Sequence, residues 1–160
     1  MKRLITILCF TAIATIAMYS TANAQSYKNA IGGRFGAANG VTFKTTMGEN
    51  KMLDLILNFR NTNYYKYTRL TGLYEVNMPI AGAPGLGWYY GAGGTVGFRK
   101  DKRFDDNNDF YLSVDGVLGL DYKFQDAPFN LSLDWKPAIM LTPDTDFDGS
   151  GAALSIRYTF

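Results

Sequence analysis

The sequence contains 160 residues with a net charge of +2, and 15% of its residues are aromatic. This length suits a single domain, and the aromatic content excludes a disordered chain. The sequence has no histidine, which excludes nucleophilic catalysis by a Ser–His pair.

The first residues have the features of a secretory signal peptide. Lys2 and Arg3 precede an apolar run of about 15 residues, which is shorter than the ~20 residues that a membrane-spanning helix needs. Ala22 and Ala24 flank Asn23 in a small-x-small cleavage pattern. We therefore expect a signal peptide over residues 1–24 and one mature domain over residues 25–160.

Cleavage at this position would change both the charge and the thiol content of the chain. It would remove Cys9, the only cysteine, so the mature protein would be stable without disulfides. It would also remove Lys2 and Arg3, which leaves 14 basic residues against 14 acidic ones. The balanced charge gives no basic surface for nucleic acid, so no nucleic-acid partner is expected.

The mature part of the sequence alternates apolar and polar residues with a period of two, which predicts β-strands. Eight such segments cover residues 28–37, 40–46, 51–60, 65–80, 86–99, 110–124, 129–141 and 151–160. Short turns are predicted at residues 47–50, 81–85 and 125–128, and the connections at residues 100–109 and 142–150 are the longest. Within the seventh segment, Pro137 predicts a bulge or a strand end, because proline cannot donate a hydrogen bond to a neighbouring strand.

Two faces with different chemistry run through these segments. In the last one, Leu154, Ile156, Tyr158 and Phe160 share an apolar face. The opposite faces of the eight segments carry thirteen charged residues: Arg34, Lys44, Asp54, Arg60, Arg69, Glu75, Arg99, Asp115, Asp121, Lys123, Asp134, Lys136 and Arg157. If the strands close into an eight-stranded barrel, its interior is only wide enough for side chains. Charges on an inward face would then have to form a paired network.

The alternation does not say which face points inward. A membrane barrel is apolar outside and polar inside, and a soluble barrel is the reverse. Aromatic residues near strand ends would fit the interfacial girdle of a membrane barrel, although ordinary β-propensity also favours them. These residues are Phe35, Phe59, Tyr65, Tyr67, Trp88, Phe98, Phe110, Tyr122, Phe124, Phe129, Trp135, Tyr158 and Phe160.

One loop has the spacing of a calcium-binding loop. Asp144, Asp146 and Asp148 are followed by Gly149, as in the D-x-D-x-D-G pattern. The twelfth position holds Ser155, where a calcium loop needs a bidentate glutamate, and strands replace the expected helices. We therefore interpret this segment as a solvated acidic loop, and no metal or other cofactor is expected.

Taken together, the signal peptide, the cysteine-free mature chain, the eight alternating segments and the terminal sequence Arg157-Tyr158-Thr159-Phe160 resemble a known family. It is the small eight-stranded outer-membrane β-barrel family of Gram-negative bacteria, of the outer membrane protein A and X type. The resemblance implies an all-β, antiparallel, up-and-down transmembrane barrel in the outer membrane, in contact with its lipids and lipopolysaccharide. It also implies a monomer, and a C-terminal assembly signal that the barrel-assembly machinery reads, formed by Leu154, Ile156, Tyr158 and Phe160.

The expected function is a non-enzymatic structural or surface-interaction role, with a lumen filled by the charged network. Two alternatives also fit the sequence. One is a narrow passive channel for small solutes or ions. The other is a soluble exported barrel of the lipocalin type that binds an apolar ligand. That family carries a Gly-x-Trp motif on its first strand, whereas the Gly-Trp pair of this chain, Gly87 and Trp88, lies on the fifth.

Overall fold

Ten β-strands and their connections make up the computed structural model, which describes residues 27–61, 65–101, 108–142 and 145–160. The predicted signal peptide and its cleavage site lie outside the described residues. The strands are β1 (Asn29–Gly36), β2 (Gly40–Gly48), β3 (Lys51–Asn61), β4 (Tyr65–Pro79), β5 (Leu86–Asp101), β6 (Asn108–Lys123), β7 (Phe129–Trp135), β8 (Ala138–Thr142), β9 (Asp146–Asp148) and β10 (Ala152–Thr159). In the described ranges, no helix is long and apolar enough to cross a membrane.

The strands close into an antiparallel barrel. Strands β1 to β6 pair in chain order, β6 pairs with both β7 and β8, and β10 pairs with β7 on one side and with β1 on the other. The ten strands occupy eight positions around the barrel wall, and we call each position a staff. Strands β7 and β8 lie end to end in the seventh staff, and β9 and β10 lie end to end in the eighth. The predicted eight-stranded all-β barrel is therefore confirmed.

The break in the seventh staff occurs at Lys136 and Pro137, where the sequence predicted a bulge or strand end. Proline has no amide hydrogen and cannot continue the ladder on both sides. Its carbonyl oxygen still accepts a hydrogen bond from the Gly116 amide, 2.9 Å away. The interruption is therefore local, and β8 continues along β6 beyond it.

The two ends of the barrel differ in shape. Residues 27 and 160 and the turns at 49–50, 80–85 and 124–128 lie at one end, which we call the terminal end. At the opposite end, the loop end, β1 joins β2 through residues 37–39 alone. The Phe59 amide bonds to the carbonyl of Asn39, and β3 to β6 continue past that level. At the loop end, the barrel wall is therefore shorter at β1 and β2 than at β4 to β6.

The apolar face of the strands points outward. In β10, Leu154, Ile156 and Tyr158 are between 39% and 49% exposed, whereas Ser155 and Arg157 are fully buried. The other staves repeat this alternation, with exposed leucine, valine and aromatic side chains outside and charged or hydroxyl side chains inside. This orientation is the one that a membrane barrel requires. It is opposite to the apolar interior that the lipocalin-type alternative needs.

The predicted aromatic girdle needs one correction. Tyr67 is 6% exposed and lies in the lumen. It is two residues before Arg69 on the same strand, so both side chains point to the same face. The side chain of Tyr65 lies outside the described residues. Outward-facing aromatic rings pair between or along strands near both barrel ends: Trp88 with Tyr90, Phe98 with Phe110, Tyr122 with Phe124, and Tyr158 with Phe129 and Phe160.

Glycine makes room for large side chains in the narrow lumen. Gly119 pairs with Tyr89 of β5 on one side and with Asp134 of β7 on the other. A Cβ atom at Gly119 would lie 2.6 Å from Tyr89 Cζ and 2.7 Å from Asp134 Cβ. The missing side chain therefore lets Tyr89 and Asp134 meet across one strand, with the Tyr89 hydroxyl donating to Asp134 Oδ2 at 2.9 Å.

Candidate functional site

Arg157 and Asp54 form an ion pair in the middle of the lumen. Arg157 Nη2 lies 2.9 Å from Asp54 Oδ2, and both side chains are almost completely buried. Arg157 also donates from Nη1 to Ser132 Oγ at 2.7 Å and from Nε to Thr42 Oγ1 at 3.2 Å. Because Arg157 lies on β10 and Asp54 on β3, the pair connects staves that are three positions apart around the barrel.

A second pair joins Lys44 of β2 to Glu75 of β4. The Lys44 ammonium lies 2.6 Å from Glu75 Oε2, and both groups are buried. The same ammonium lies 4.1 Å from the centre of the Tyr89 ring, so a cation–π contact adds to the charge pair. Lys44 is thus held by groups on β4 and β5, across the lumen from its own strand.

Arg34 of β1 binds Asp134 of β7 with both ends of its guanidinium group. Nη1 lies 2.7 Å from Asp134 Oδ2, and Nη2 lies 2.5 Å from Oδ1. This two-pronged geometry is the strong form of a charged hydrogen bond. Because β10 lies between β1 and β7, the pair bridges over one staff.

Lys136 and Asp115 form the fourth pair, nearer the loop end, with Nζ 3.0 Å from Oδ2. Asp115 also accepts hydrogen bonds from the hydroxyls of Thr95 and Ser113. Asp115 is fully buried, whereas Lys136 is 16% exposed. The carboxylate is therefore compensated inside the barrel, and the ammonium borders the cavity at the loop end.

Arg69 and Asp121, which the sequence placed on the inward face, remain outside these four pairs. Arg69 lies near the loop end and has no carboxylate within ion-pair distance among the described residues. Asp121 lies near the terminal end and accepts amide hydrogen bonds from Asn130 at 2.7 Å and Asn77 at 3.4 Å. Among the described residues, Arg69 towards the loop end and Asp121 towards the terminal end therefore lack an ion-pair partner.

Three charges that the sequence placed on the inward face lie at the barrel rims. Arg60 and Arg99 have the inward parity but are exposed, because their strands extend past the closed part of the barrel at the loop end. Lys123 lies at the terminal end and donates to the carbonyls of Phe124 and Ala127, at 2.5 and 2.8 Å. These side chains are not part of the buried pairing.

The lumen also holds apolar residues. Ile56, Leu73, Tyr89 and Val117 form a buried cluster. Ile56 lies two residues from Asp54 on the same strand, so alternation predicts that it faces inward. Sequence reasoning missed Leu73 and Val117, although each lies two residues from an inward carboxylate, Glu75 and Asp115. Parity counted from the nearest charged residue would have found both.

The acidic loop uses its carboxylates for local hydrogen bonds. Asp146 Oδ1 accepts from the Phe147 amide at 2.8 Å, and Asp148 Oδ1 accepts from the amide and hydroxyl of Ser150 at 2.9 and 2.6 Å. Asp144 lies outside the described residues. Among those described, no group of three or more metal-ligating acidic, histidine or cysteine side chains is gathered in one place.

The C-terminal residues form one outward row at the terminal end. Tyr158 stacks on Phe160 with ring centres 6.4 Å apart and meets Phe129 edge-on at 6.0 Å. Phe160 is tied to β1 by two backbone hydrogen bonds with Asn29, at 2.8 and 2.9 Å. Leu154 and Ile156 continue the same exposed row towards the loop end.

Comparison with known proteins gives a structural likeness only. No protein-family model matches the sequence, and no curated protein matches it. Among solved structures, the barrel is similar to Neisserial surface protein A (NspA), with a TM-score of 0.54 and 9% sequence identity over 82% of this chain and 93% of that chain. At this identity the likeness concerns the fold, that of a small eight-stranded outer-membrane barrel. It does not extend to the outer membrane protein A and X type in particular.

Proposed function

We propose that this chain is an integral outer-membrane β-barrel with a non-enzymatic structural or surface-interaction role. One observation carries the proposal: a closed barrel places its apolar face outside and its charged face inside. Hydrocarbon requires both closure and an apolar outer face, because no backbone edge or charge can be solvated there. The likeness to a surface protein of the same fold supports this location and role.

Fractionation of cells that express the full chain tests this proposal. We expect the protein in the outer-membrane fraction, resistant to extraction with urea or alkaline carbonate, because its apolar face is in contact with lipid. Recovery in the soluble periplasmic fraction would contradict the proposal. Lipids and lipopolysaccharide of that membrane are the proposed surroundings of the barrel, which acts as a monomer.

The paired lumen argues against the channel alternative. The pairs of Arg157 with Asp54, Arg34 with Asp134 and Lys44 with Glu75 fill the central lumen with buried side chains. An ion path there would require these contacts to separate, and unpaired buried charges cost several kcal/mol, roughly.

In planar bilayers, the purified protein should therefore show no discrete conductance steps, under conditions in which a general porin does. The measurement is single-channel current at symmetrical salt. Reproducible steps of one amplitude would favour the narrow channel, provided that they disappear when the protein is omitted.

Deletion of Phe160 should strongly lower the amount of protein in the outer membrane. We propose that the exposed row of Leu154, Ile156, Tyr158 and Phe160 is read by the barrel-assembly machinery, and Phe160 is its exposed terminal member. Phe129→Ala is the matched control, because it removes an aromatic contact of Tyr158 and leaves the C-terminus intact. Equal membrane levels for the deletion and the wild type, measured by immunoblot, would refute this role.

A further inference from the structure

A polar cavity of about 90 Å³ lies at the loop end of the lumen. A single water molecule needs only about 10–15 Å³ of cavity volume on the same scale. The cavity therefore has room for a small polyatomic ligand. Its lining includes three cations, Arg34, Arg69 and Lys136, and one carboxylate, Asp148.

Arg69 is the cation of this cavity that is most available to a ligand. Both terminal nitrogens of the Arg34 guanidinium donate to the Asp134 carboxylate, and the Lys136 ammonium is paired with Asp115. Arg69 has no such carboxylate among the described residues, and its Nε is buried without a hydrogen-bond partner. A buried charged donor without an acceptor is costly, so an acceptor supplied by a ligand would stabilise the protein.

Aromatic rings hold the Arg69 guanidinium in place. Its Cζ lies 4.5 Å from the centre of the Tyr67 ring and 3.8 Å from that of Tyr111. Gly97 lies between Arg69 and Tyr111 in the ladder, and a Cβ atom there would lie 2.9 Å from Arg69 Cγ. The glycine thus lets the tyrosine on β6 reach the arginine on β4. Contacts with two rings leave the edge of the guanidinium, with its fork of N–H donors, for a planar or tetrahedral acceptor.

We propose that this cavity binds a compact soluble oxyanion of the phosphate type, with Arg69 as its principal ligand and Lys136 as a second donor. The Lys136 ammonium has three hydrogens, and Asp115 takes one of them. A soluble anion fits better than the phosphate of a surrounding lipid, because the cavity is lined from inside the barrel, whereas lipid meets its outer face.

Asp148 limits the affinity of this site. Asp148 lines the cavity, and the amide and hydroxyl of Ser150 donate hydrogen bonds to its Oδ1 at 2.9 and 2.6 Å, which stabilises the charged carboxylate. Asp148 is therefore ionised at neutral pH and opposes a bound anion. Removing its charge should strengthen anion binding, whereas removing the charge of Arg69 should weaken it.

Calorimetric titration of the folded, detergent-purified protein with inorganic phosphate tests the proposal. We expect saturable binding that weakens at least about tenfold in Arg69→Gln, since a charged hydrogen bond is lost. Arg69→Lys, which keeps the charge and loses the fork, should fall between the two. Asp148→Asn should bind phosphate several-fold more tightly than the wild type. Arg60→Gln removes a cation from the same rim without touching the cavity lining and should bind like the wild type.

Folding of each variant is checked by its altered migration in unheated gels. Absence of saturable heat with the wild type would overturn the proposal, as would equal affinity in Arg69→Gln and Arg60→Gln. The titration is repeated in nanodiscs with and without lipopolysaccharide. Unchanged phosphate affinity supports a soluble ligand, and a tenfold loss in the presence of lipopolysaccharide would instead assign the site to a lipid phosphate and overturn the proposal.

Discussion

Replacing Asp54 with leucine should lower the free energy of unfolding by about 3–5 kcal/mol, because it leaves the charge of Arg157 buried without its partner. Arg157 is fully buried. Its remaining hydrogen-bond acceptors, the hydroxyls of Ser132 and Thr42 and the amide oxygen of Asn130, are all neutral. The pair joins β10 to β3, so its loss should loosen contact between staves that no backbone ladder connects directly. The measurement is equilibrium unfolding in urea after refolding into lipid vesicles, followed by tryptophan fluorescence.

The double variant Asp54→Leu with Arg157→Met tests the cause of this loss. It removes both charges, and an apolar pair of similar volume often costs little in place of a buried ion pair. We therefore expect it to be more stable than Asp54→Leu alone. Asp126→Asn, in the exposed turn at the terminal end, is the control and should stay within about 0.5 kcal/mol of the wild type. A double variant that is less stable than the single one would contradict this explanation.

Leu133→Arg should destabilise the protein in lipid by about 2–4 kcal/mol, the cost of a cation on the lipid face near the middle of the bilayer. Leu133 is 57% exposed and lies between Leu154 and Leu120 in the ladder, away from both ends of β7. In a soluble barrel, an arginine at such an exposed position would be almost neutral. The size of the effect therefore reports contact with hydrocarbon.

Met47→Arg is the matched control for this substitution. Met47 is 62% exposed and lies beside the turn at residues 49–50, at the terminal end of β2. Near the bilayer interface the cost of arginine falls to about 0–1 kcal/mol. The same vesicle unfolding assay measures both variants. Equal, small effects at positions 133 and 47 would mean that Leu133 does not face lipid.

The sequence was sufficient to predict the fold because alternation survives in every staff. Strand β10 shows this most clearly, with Arg157 inward and Ile156 and Tyr158 outward. Alternation alone does not give the direction of the faces, since it suits a membrane barrel and a soluble one equally. The resemblance to small outer-membrane barrels is what predicted an apolar outer face. The membrane barrel and the soluble barrel are distinguished by which face of each strand points into the closed barrel, and the structure shows this directly.

Periodicity could not predict which charged residues pair with each other inside the lumen. Alternation indicates that Arg157 and Asp54 share the inner face, but their contact depends on the tilt and stagger of the strands between them. Gly97 and Gly119 have a similar status: their role depends on which residues flank them on neighbouring strands. Tyr67 lies near a strand end, as a girdle residue would, but it is two residues from Arg69 on the same strand and therefore points into the lumen.

Collision measurements with spin labels on β10 test the membrane-spanning account most directly. The predicted mature chain has no cysteine, so single cysteines at positions 154, 156 and 158 can carry the label. Positions 126 and 39, which are exposed residues of turns at the two barrel ends, serve as controls. In native-like vesicles, we expect the three β10 labels to collide with lipid-soluble oxygen and the two controls with a water-soluble nickel chelate. If the labels at 154, 156 and 158 collide with the nickel chelate as readily as the controls do, the outer face of the barrel is in water and the account is wrong.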